Sequence, residues 1–383
     1  MRQSSFYQGL ERLMVESAVA LTKGHPEWQI DLLVLYSRRG LTPIQRRSLP
    51  REHPLLQEAL ARGLVAWQWD DEGKLALGQW LRLLHFVREK GYDLVHTHEP
   101  KTDLLGMVLQ RWAPVRVVAT AHGYPKTFRR LRLYRQVDHR LLRRLDHVIT
   151  VSNALRQELV GAGVYTERIT TIHNAIDVAN FRTQANDHRA RLRGEGEPLV
   201  LAAARLSTEK GIAYFLESAA LVRTRLPTTR FFVVGDGPLR PGLEAQAARL
   251  GLTDPPVLSF LGYRRDVASL MAESDVVVVP SLREAFGVVL IEALALGRPV
   301  VASWVDGIPE IVEDGVSGLL VPPGDSRALA AAIERLLVDR ELATTLARQG
   351  MRRVEETFDV AAMAERTLAV YQQVLERPPR HAP

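Results

Sequence analysis

Cysteine is absent from this chain of 383 residues, which excludes disulfides and cysteine-ligated metals or clusters. Long apolar runs are absent too: none approaches the ~18 consecutive residues that a membrane-spanning helix needs. The opening residues Met1-Arg-Gln-Ser-Ser are polar and hold no apolar core, so no secretory signal is expected and a cytoplasmic location is. Short-period repeats and low-complexity tracts are missing as well. No nucleic-acid-binding module is recognisable, so nucleic acid is not an expected partner.

What is present is ordinary globular material, 46% hydrophobic and 25% charged, enough for two domains. The net charge of +6 favours an anionic partner, for which a phosphorylated small molecule or a membrane surface qualifies. Apolar runs alternate with helical patterns almost from end to end, which predicts parallel sheets with right-handed crossovers. Strands are expected at residues 29–36, 93–98, 116–123, 147–152 and 169–174 in the first half. In the second they are expected at 198–204, 230–235, 257–261, 276–279, 299–302 and 318–321. Residues 184–196 are polar without apolar periodicity and read as a linker. Two doubly wound domains follow, over 1–183 and 197–356, with ligands collecting beyond the carboxyl ends of the strands.

The stretch from Asp275 to Ser303 carries the most chemistry. A buried strand is followed by a loop with Glu284, then by a helix opened at Gly287 and carrying Glu292. Two carboxylates suit a hydroxylated ligand, and the helix N-terminus between them suits an anion. Arg205 and Lys210 share one loop after an earlier strand, where both could converge on a phosphate. A solvated surface is the plainer reading for an Arg and a Lys at that spacing, and placement after a buried strand argues against it. Gly235 and Gly237 close another strand, either as a tight turn or to let a ligand approach the backbone.

Taken in order, Arg205…Lys210, Gly235-Asp-Gly-Pro238, Phe260-Leu-Gly262, Glu284-Ala-Phe-Gly-Val-Val-Leu-Ile-Glu292, Gly307-Ile-Pro-Glu310 and Asp314-Gly-Val-Ser-Gly-Leu-Leu-Val321 resemble the family 4 retaining glycosyltransferases. In the first half, Asp93-Leu-Val-His-Thr-His98, Thr120-Ala-His-Gly123, Val151-Ser-Asn153 and Asn174-Ala-Ile-Asp177 resemble it too. The resemblance implies the α/β GT-B fold, two Rossmann-like domains facing across a cleft, with the C-terminal helix, about 360–375, packing back on the first. It implies a nucleoside-diphosphate sugar as donor and a glycan or lipid-linked hydroxyl as acceptor. Arg205 and Lys210 would hold the diphosphate, and Glu284 the transferred sugar. The backbone N–H groups of Phe286, Gly287 and Val288 would meet sugar or phosphate, and Glu292 the ribose. His122 would reach the reaction centre from the first domain. No cofactor and no metal is implied, and no Asp-x-Asp triplet argues for one. A sugar-nucleotide epimerase, a phosphorylase and a catalytically silent nucleotide-sugar-binding scaffold are the rival readings.

Three features stand apart from that pattern. Only eight residues precede Gly9, which reads as the remnant of a glycine-rich loop, so the first strand of the first domain is expected to be missing. Asp306-Gly307 stands where paired glycines are usual, and Ala175 where a glycine commonly follows Asn. Residues 126–144 hold eight Lys or Arg and one acid. On a helix they place Leu131, Tyr134, Leu141, Leu142 and Leu145 on one side, with Arg129, Arg132, Arg140 and Arg143 opposite. That is either a surface helix packing on the sheet or a peripheral contact with an anionic membrane. His96 and His98, at i and i+2 on one strand face, could be metal ligands but have no evident third partner. Lining or packing at the cleft is the alternative for His98.

Overall fold

The structure is a computed structural model that describes residues 2–4, 9–36, 51–71, 77–123, 129–187, 192, 196–253 and 257–378. The chain divides into two compact units, Met1–Asn174 with Val360–Pro383, and Ala175–Asp359.

The second unit holds one parallel sheet of six strands in the order β10-β9-β8-β11-β12-β13. They are β8 (Leu199–Ala203), β9 (Arg230–Val234), β10 (Leu258–Gly262), β11 (Val276–Val279), β12 (Val300–Ser303) and β13 (Leu319–Val321). Val276–Val279 and Leu199–Ala203 are buried throughout, as expected of central strands covered by helices on both faces. One continuous apolar cluster runs from Val200 and Phe215 through Phe231 and Val276 to Ile333 and Leu346. The strand order reverses between β8 and β11, and ligands bind outside the carboxyl ends at such a switch point. The loops that begin there are the ones carrying Arg205, Lys210 and Glu284.

The unit begins at Ala175, earlier than the expected boundary after residue 183. The reason is the helix Val178–Asp187, which buries Phe181 and ties Arg182 Nε to the Ala295 carbonyl at 2.8 Å. Its last turn accepts the Ser269 hydroxyl at Gln184 and Ala185, so this stretch is packed structure. Of the expected linker, residues 188–191 and 193–195 lie outside the described residues.

The first unit splits its strands between two parallel sheets, β1-β2-β3 and β4-β5-β6-β7. These are β1 (Arg2–Ser4), β2 (Asp31–Tyr36), β3 (Val65–Asp70), β4 (Leu94–Thr97), β5 (Arg116–Ala121), β6 (His147–Thr150) and β7 (Ile169–Thr171). The first strand, expected to be missing, is present as three residues paired with Val34–Tyr36 of β2. Between Asp31–Leu33 of β2 and Leu94–His96 of β4 lies a cavity of about 570 Å3, bordered also by Leu83 and Phe86. Val-Ala-Trp-Gln-Trp-Asp forms β3, a strand not among those expected from sequence. The helix Val360–Glu376 belongs to this unit and packs Val370 and Val374 against Val118 and Ile149. Its N-terminal half holds Leu21 through Ala364 and Leu368, and His25 Nε2 meets Glu365 at 2.8 Å.

Candidate active site

The 3-10 turn Thr208–Lys210 and the loop after β11 are pinned together by their backbones. The N–H groups of Leu282 and Arg283 both donate to the Glu209 carbonyl, at 2.8 and 3.2 Å. Gly211 sits at φ 65, and a Cβ there would lie 2.0 Å from the Pro280 carbonyl oxygen, so only glycine lets the two loops come this close. The result brings Lys210 Nζ to 2.6 Å from Glu284 Oε2, an oxygen that also accepts from Ser281 Oγ at 3.2 Å. The pair is part-buried, with 26% of the lysine side chain and 13% of the glutamate exposed. Arg205 stands exposed in the same loop as Lys210, with no side-chain ion pair or hydrogen bond among the described residues. A cation without a carboxylate, in one loop with a cation that shares one, suits an anion that can take hydrogen bonds and charge.

The helix Val288–Ala295 begins at Gly287, whose φ of 110 turns the chain into it, and no side chain caps it. The Leu290 N–H donates back to the Gly287 carbonyl at 2.9 Å, and the two helical N–H groups before it have no side-chain cap among the described residues. Phe286 anchors this turn: it is buried and meets Phe358 edge-on at 5.7 Å. Val288 is the first residue of the helix, and Glu292 lies one turn further on. Glu292 is only 7% exposed, so it is not part of a solvated helix face. Among the described residues it is the one buried Asp, Glu, Lys, Arg or His in the second unit.

Gly235 and Gly237 are explained by the protein itself. A Cβ at Gly235, where φ is 122, would meet the Ala204 carbonyl at 2.0 Å, and one at Gly237 would meet the Leu206 carbonyl at 2.4 Å. Backbone packing against the Arg205 loop accounts for both glycines, and Leu206 N–H donates to the Asp236 carbonyl at 3.0 Å. They shape the loop that holds Arg205.

His122 lies in the first unit at the end of β5, in a row of imidazoles. His122 Nε2 is 3.2 Å from His98 Nδ1, and the His98 ring stacks on His96 at 4.2 Å. Both nitrogens of His96 are engaged, Nδ1 with Tyr371 Oη at 2.6 Å and Nε2 with Thr120 Oγ1 at 2.7 Å. Burial holds His96 well below the usual histidine range, so it stands there as a neutral ring. Its two hydrogen bonds leave no nitrogen for the metal considered from sequence. Among the described residues no group of three or more possible metal ligands occurs. Gly9 is the exposed first residue of the helix Gly9–Gly24 in this same unit, with nothing packed where a Cβ would stand. In the basic segment, residues 124–128 and the side chains of 129–134 lie outside the described residues. Beyond them Leu141, Leu142 and Leu145 are buried and Arg140, Arg143 and Arg144 exposed.

Asp306 stands out in the sequence only as a departure near the expected sugar site, and a buried aspartate pair does not stand out at all. Asp306 accepts from the Glu284 N–H at 3.0 Å and from Arg283 Nε at 2.7 Å. The turn chemistry of Asp-Gly was a usable signal there. In the first unit Asp103 and Asp138, from two different helices, are buried beside each other, and Thr97 Oγ1 donates to Asp103. Burial, the neighbouring Asp138 charge and Glu99 push the Asp103 carboxyl well above its usual range, while Thr97 pulls the other way. Burial pushes Asp138 up to about 7. No local pattern foretells a pair whose members are far apart in the chain.

Comparison with known proteins agrees over most of the length. Residues 197–339 match the family described as Glycosyl transferases group 1, and residues 8–180 match Glycosyltransferase Family 4. The chain is 30% identical over 296 residues to the phosphatidyl-myo-inositol mannosyltransferase of Mycolicibacterium smegmatis, covering 76% of this chain and 73% of that one. It is 32% identical over 196 residues to the alpha-D-kanosaminyltransferase of Streptomyces kanamyceticus, a match that spans only 51% of each. Among solved structures, Anabaena Alr3699/HepE in complex with UDP and glucose aligns with a TM-score of 0.81 at 25% identity, covering 97% of both chains. With a six-stranded sheet whose order reverses between β8 and β11, and both halves matched in order, the chain has the GT-B fold and belongs to the family 4 glycosyltransferases.

Proposed function

We propose that the protein transfers a hexosyl unit, with retained anomeric configuration, from a nucleoside-diphosphate sugar to a hydroxyl of a polysaccharide or lipid-linked acceptor. The observation that carries this reading is the grouping at the switch point: Lys210 held by Glu284, Arg205 exposed in the same loop as Lys210, and a helix without a side-chain cap leading to the buried Glu292. The related Anabaena protein was solved with UDP and glucose and with UDP-glucose, which supports a uridine nucleotide here.

Each residue then has a physical task. Arg205 and Lys210 take up the negative charge that grows on the diphosphate as the glycosidic bond breaks. Before the donor arrives, Glu284 holds Lys210 in place through their 2.6 Å contact. Once a phosphate oxygen competes for the lysine, the Glu284 carboxylate is released to accept sugar hydroxyls. The N–H groups of Phe286, Gly287 and Val288 receive phosphate or sugar oxygens. Glu292 offers two acceptor oxygens to the ribose diol. His122, held by His98, serves the sugar or the acceptor from the first unit. Departure and attack on the same face retain configuration. Charge stabilisation comes from these side chains and the helix terminus, so turnover should persist in a chelator.

Incubating the purified protein with UDP-, GDP- and ADP-glucose and an acceptor panel, with product analysis, tests the reading. An epimerase would convert donor without acceptor, a phosphorylase would release sugar phosphate, and a scaffold would do neither. Glu284→Ala and Lys210→Ala should each lower turnover by more than ~100-fold without lowering the melting temperature of the chain. Wild-type turnover in either variant would sink the assignment. We further propose peripheral docking to an anionic bilayer through the exposed Arg140, Arg143 and Arg144. Co-sedimentation with phosphatidylglycerol vesicles should be lost in Arg140→Glu/Arg143→Glu, and unchanged binding would end the membrane reading.

A further inference from the structure

Asp306 is the one residue other than glycine with a positive φ among the described residues, at φ 46. That left-handed conformation costs any residue with a Cβ, though aspartate less than most. Strain of this kind persists where the surroundings compensate it, and it concentrates at functional sites. The compensation here is in the side chain. Asp306 Oδ2 accepts the backbone N–H of Glu284 at 3.0 Å and Arg283 Nε at 2.7 Å. The next residue completes a clamp, because Gly307 N–H donates to the Glu284 carbonyl at 3.1 Å. The peptide groups on both sides of the Glu284 Cα are thus fixed by one turn at the end of β12. Nothing in the loop after β11 supplies those bonds locally.

We propose that Asp306 is a positioning residue for sugar transfer. Its carboxylate holds the backbone of Glu284, and through Glu284 it sets Lys210, so that the Glu284 side chain meets the hydroxyls of the transferred sugar in one geometry. The inference rests on the reading of Glu284 as the sugar-facing residue. Its logic is that of a site supported from behind. Glu284 Oε2 already takes Lys210 at 2.6 Å and Ser281 at 3.2 Å, so a shift of its backbone moves three groups at once. A misplacement near 1 Å at reacting groups costs about 100-fold in rate. Arg283, drawn onto Asp306, has its charge compensated 2.7 Å away and so does not compete with Lys210 for Glu284.

Asp306→Gly tests this in the full-length protein, because glycine adopts φ 46 freely while losing both side-chain bonds. The melting temperature should be equal to or above that of the parent. Any weakening of UDP binding should be smaller than the loss of kcat, since UDP lacks the sugar that Glu284 meets, whereas kcat on the sugar nucleotide that turns over should fall by about tenfold or more. Asp306→Asn keeps an acceptor oxygen at the same place and should recover kcat to within about threefold. Unchanged kcat in Asp306→Gly, with Glu284→Ala inactive, overturns the positioning role and leaves the reading of Glu284 standing. Equal losses of melting temperature, UDP binding and kcat reduce Asp306 to a structural turn and overturn it too. Full turnover in Glu284→Ala overturns both.

Discussion

The two units are built from the same parts and solve different problems. The second lays six parallel strands side by side, and an apolar cluster among its described residues draws on every one of them. The first divides its strands between two sheets, its described apolar residues fall into several clusters, and a cavity of about 570 Å3 lies between the sheet edges. Buried charge follows the same line. Glu292 is the one such residue described in the second unit, and it sits where the donor is proposed to bind. The first unit buries Asp71, Lys101, Asp103, Asp138, Asp146 and His147 among others. Lys101 and Asp71 satisfy one another as an ion pair, and Asp146 accepts the Val117 N–H at 2.8 Å. The contrast teaches that the described core of the second unit is almost wholly apolar, while the first also buries charged groups whose pairings vary in strength with pH.

Core truncation should break the comparison most sharply. Leu216→Ala in the second unit removes a fully buried side chain from continuous packing and should cost toward the upper end of ~2–5 kcal/mol. Leu83→Ala in the first removes one that already borders the cavity and should fall at the lower end, because a void offers no contacts to lose. Denaturant titration of the two variants measures this, and equal costs would show that the cavity is filled in solution.

The next effect comes from pH. Burial raises Asp138 to about 7 from an ordinary 3.8, so its contribution is complete below about pH 4 and is lost as pH rises through 7. Burial, with Arg377 assisting, lowers His147 from 6.5 to about 4, so its contribution is complete above 6.5 and fades as pH falls toward 4. In the parent protein the two slopes oppose one another between about pH 4 and 6.5. Asp138→Asn should remove the first. The variant should match the parent near pH 4, exceed it by ~1–2 kcal/mol at pH 8, and lose stability less steeply than the parent as pH rises between, Asp103 still titrating in its core. Amide exchange of first-unit peptides across that range measures it, and parallel profiles for the two proteins would refute the assignment.

The smallest effect is a sharpening one. Val95→Leu adds a methylene at the cavity wall and should stabilise the first unit by up to ~1 kcal/mol. The same enlargement at Val278, fully packed in the second sheet, should destabilise by ~1–3 kcal/mol. Opposite signs would confirm that the two cores differ in packing, and a loss at both positions would deny it.

Much of this was legible without coordinates, and the reasons are local. Val276–Val279 announces a central strand by composition alone, and Gly287 ahead of Val-Val-Leu-Ile-Glu announces a helix start. The loops with Arg205, Lys210 and Glu284 follow from where the apolar runs stop. The expected boundary after residue 183 went astray because the polar helix Val178–Asp187 earns its place through Phe181 and Arg182, two side chains that no periodicity picks out. Strand β3 was overlooked because its edge position leaves it half exposed, with no apolar run to mark it.

The order of elements, the switch-point loops and the identity of the charged residues on them were set by the sequence itself, since backbone preference and burial pattern act over a few residues. Only the tertiary structure decided that Lys210 meets Glu284 across 74 residues, that Asp306 turns left-handed to hold that glutamate, and that the first unit keeps its sheets apart. Those outcomes depend on which surfaces pack against which. Distances of a few ångströms between remote side chains exist only once the chain has closed on itself.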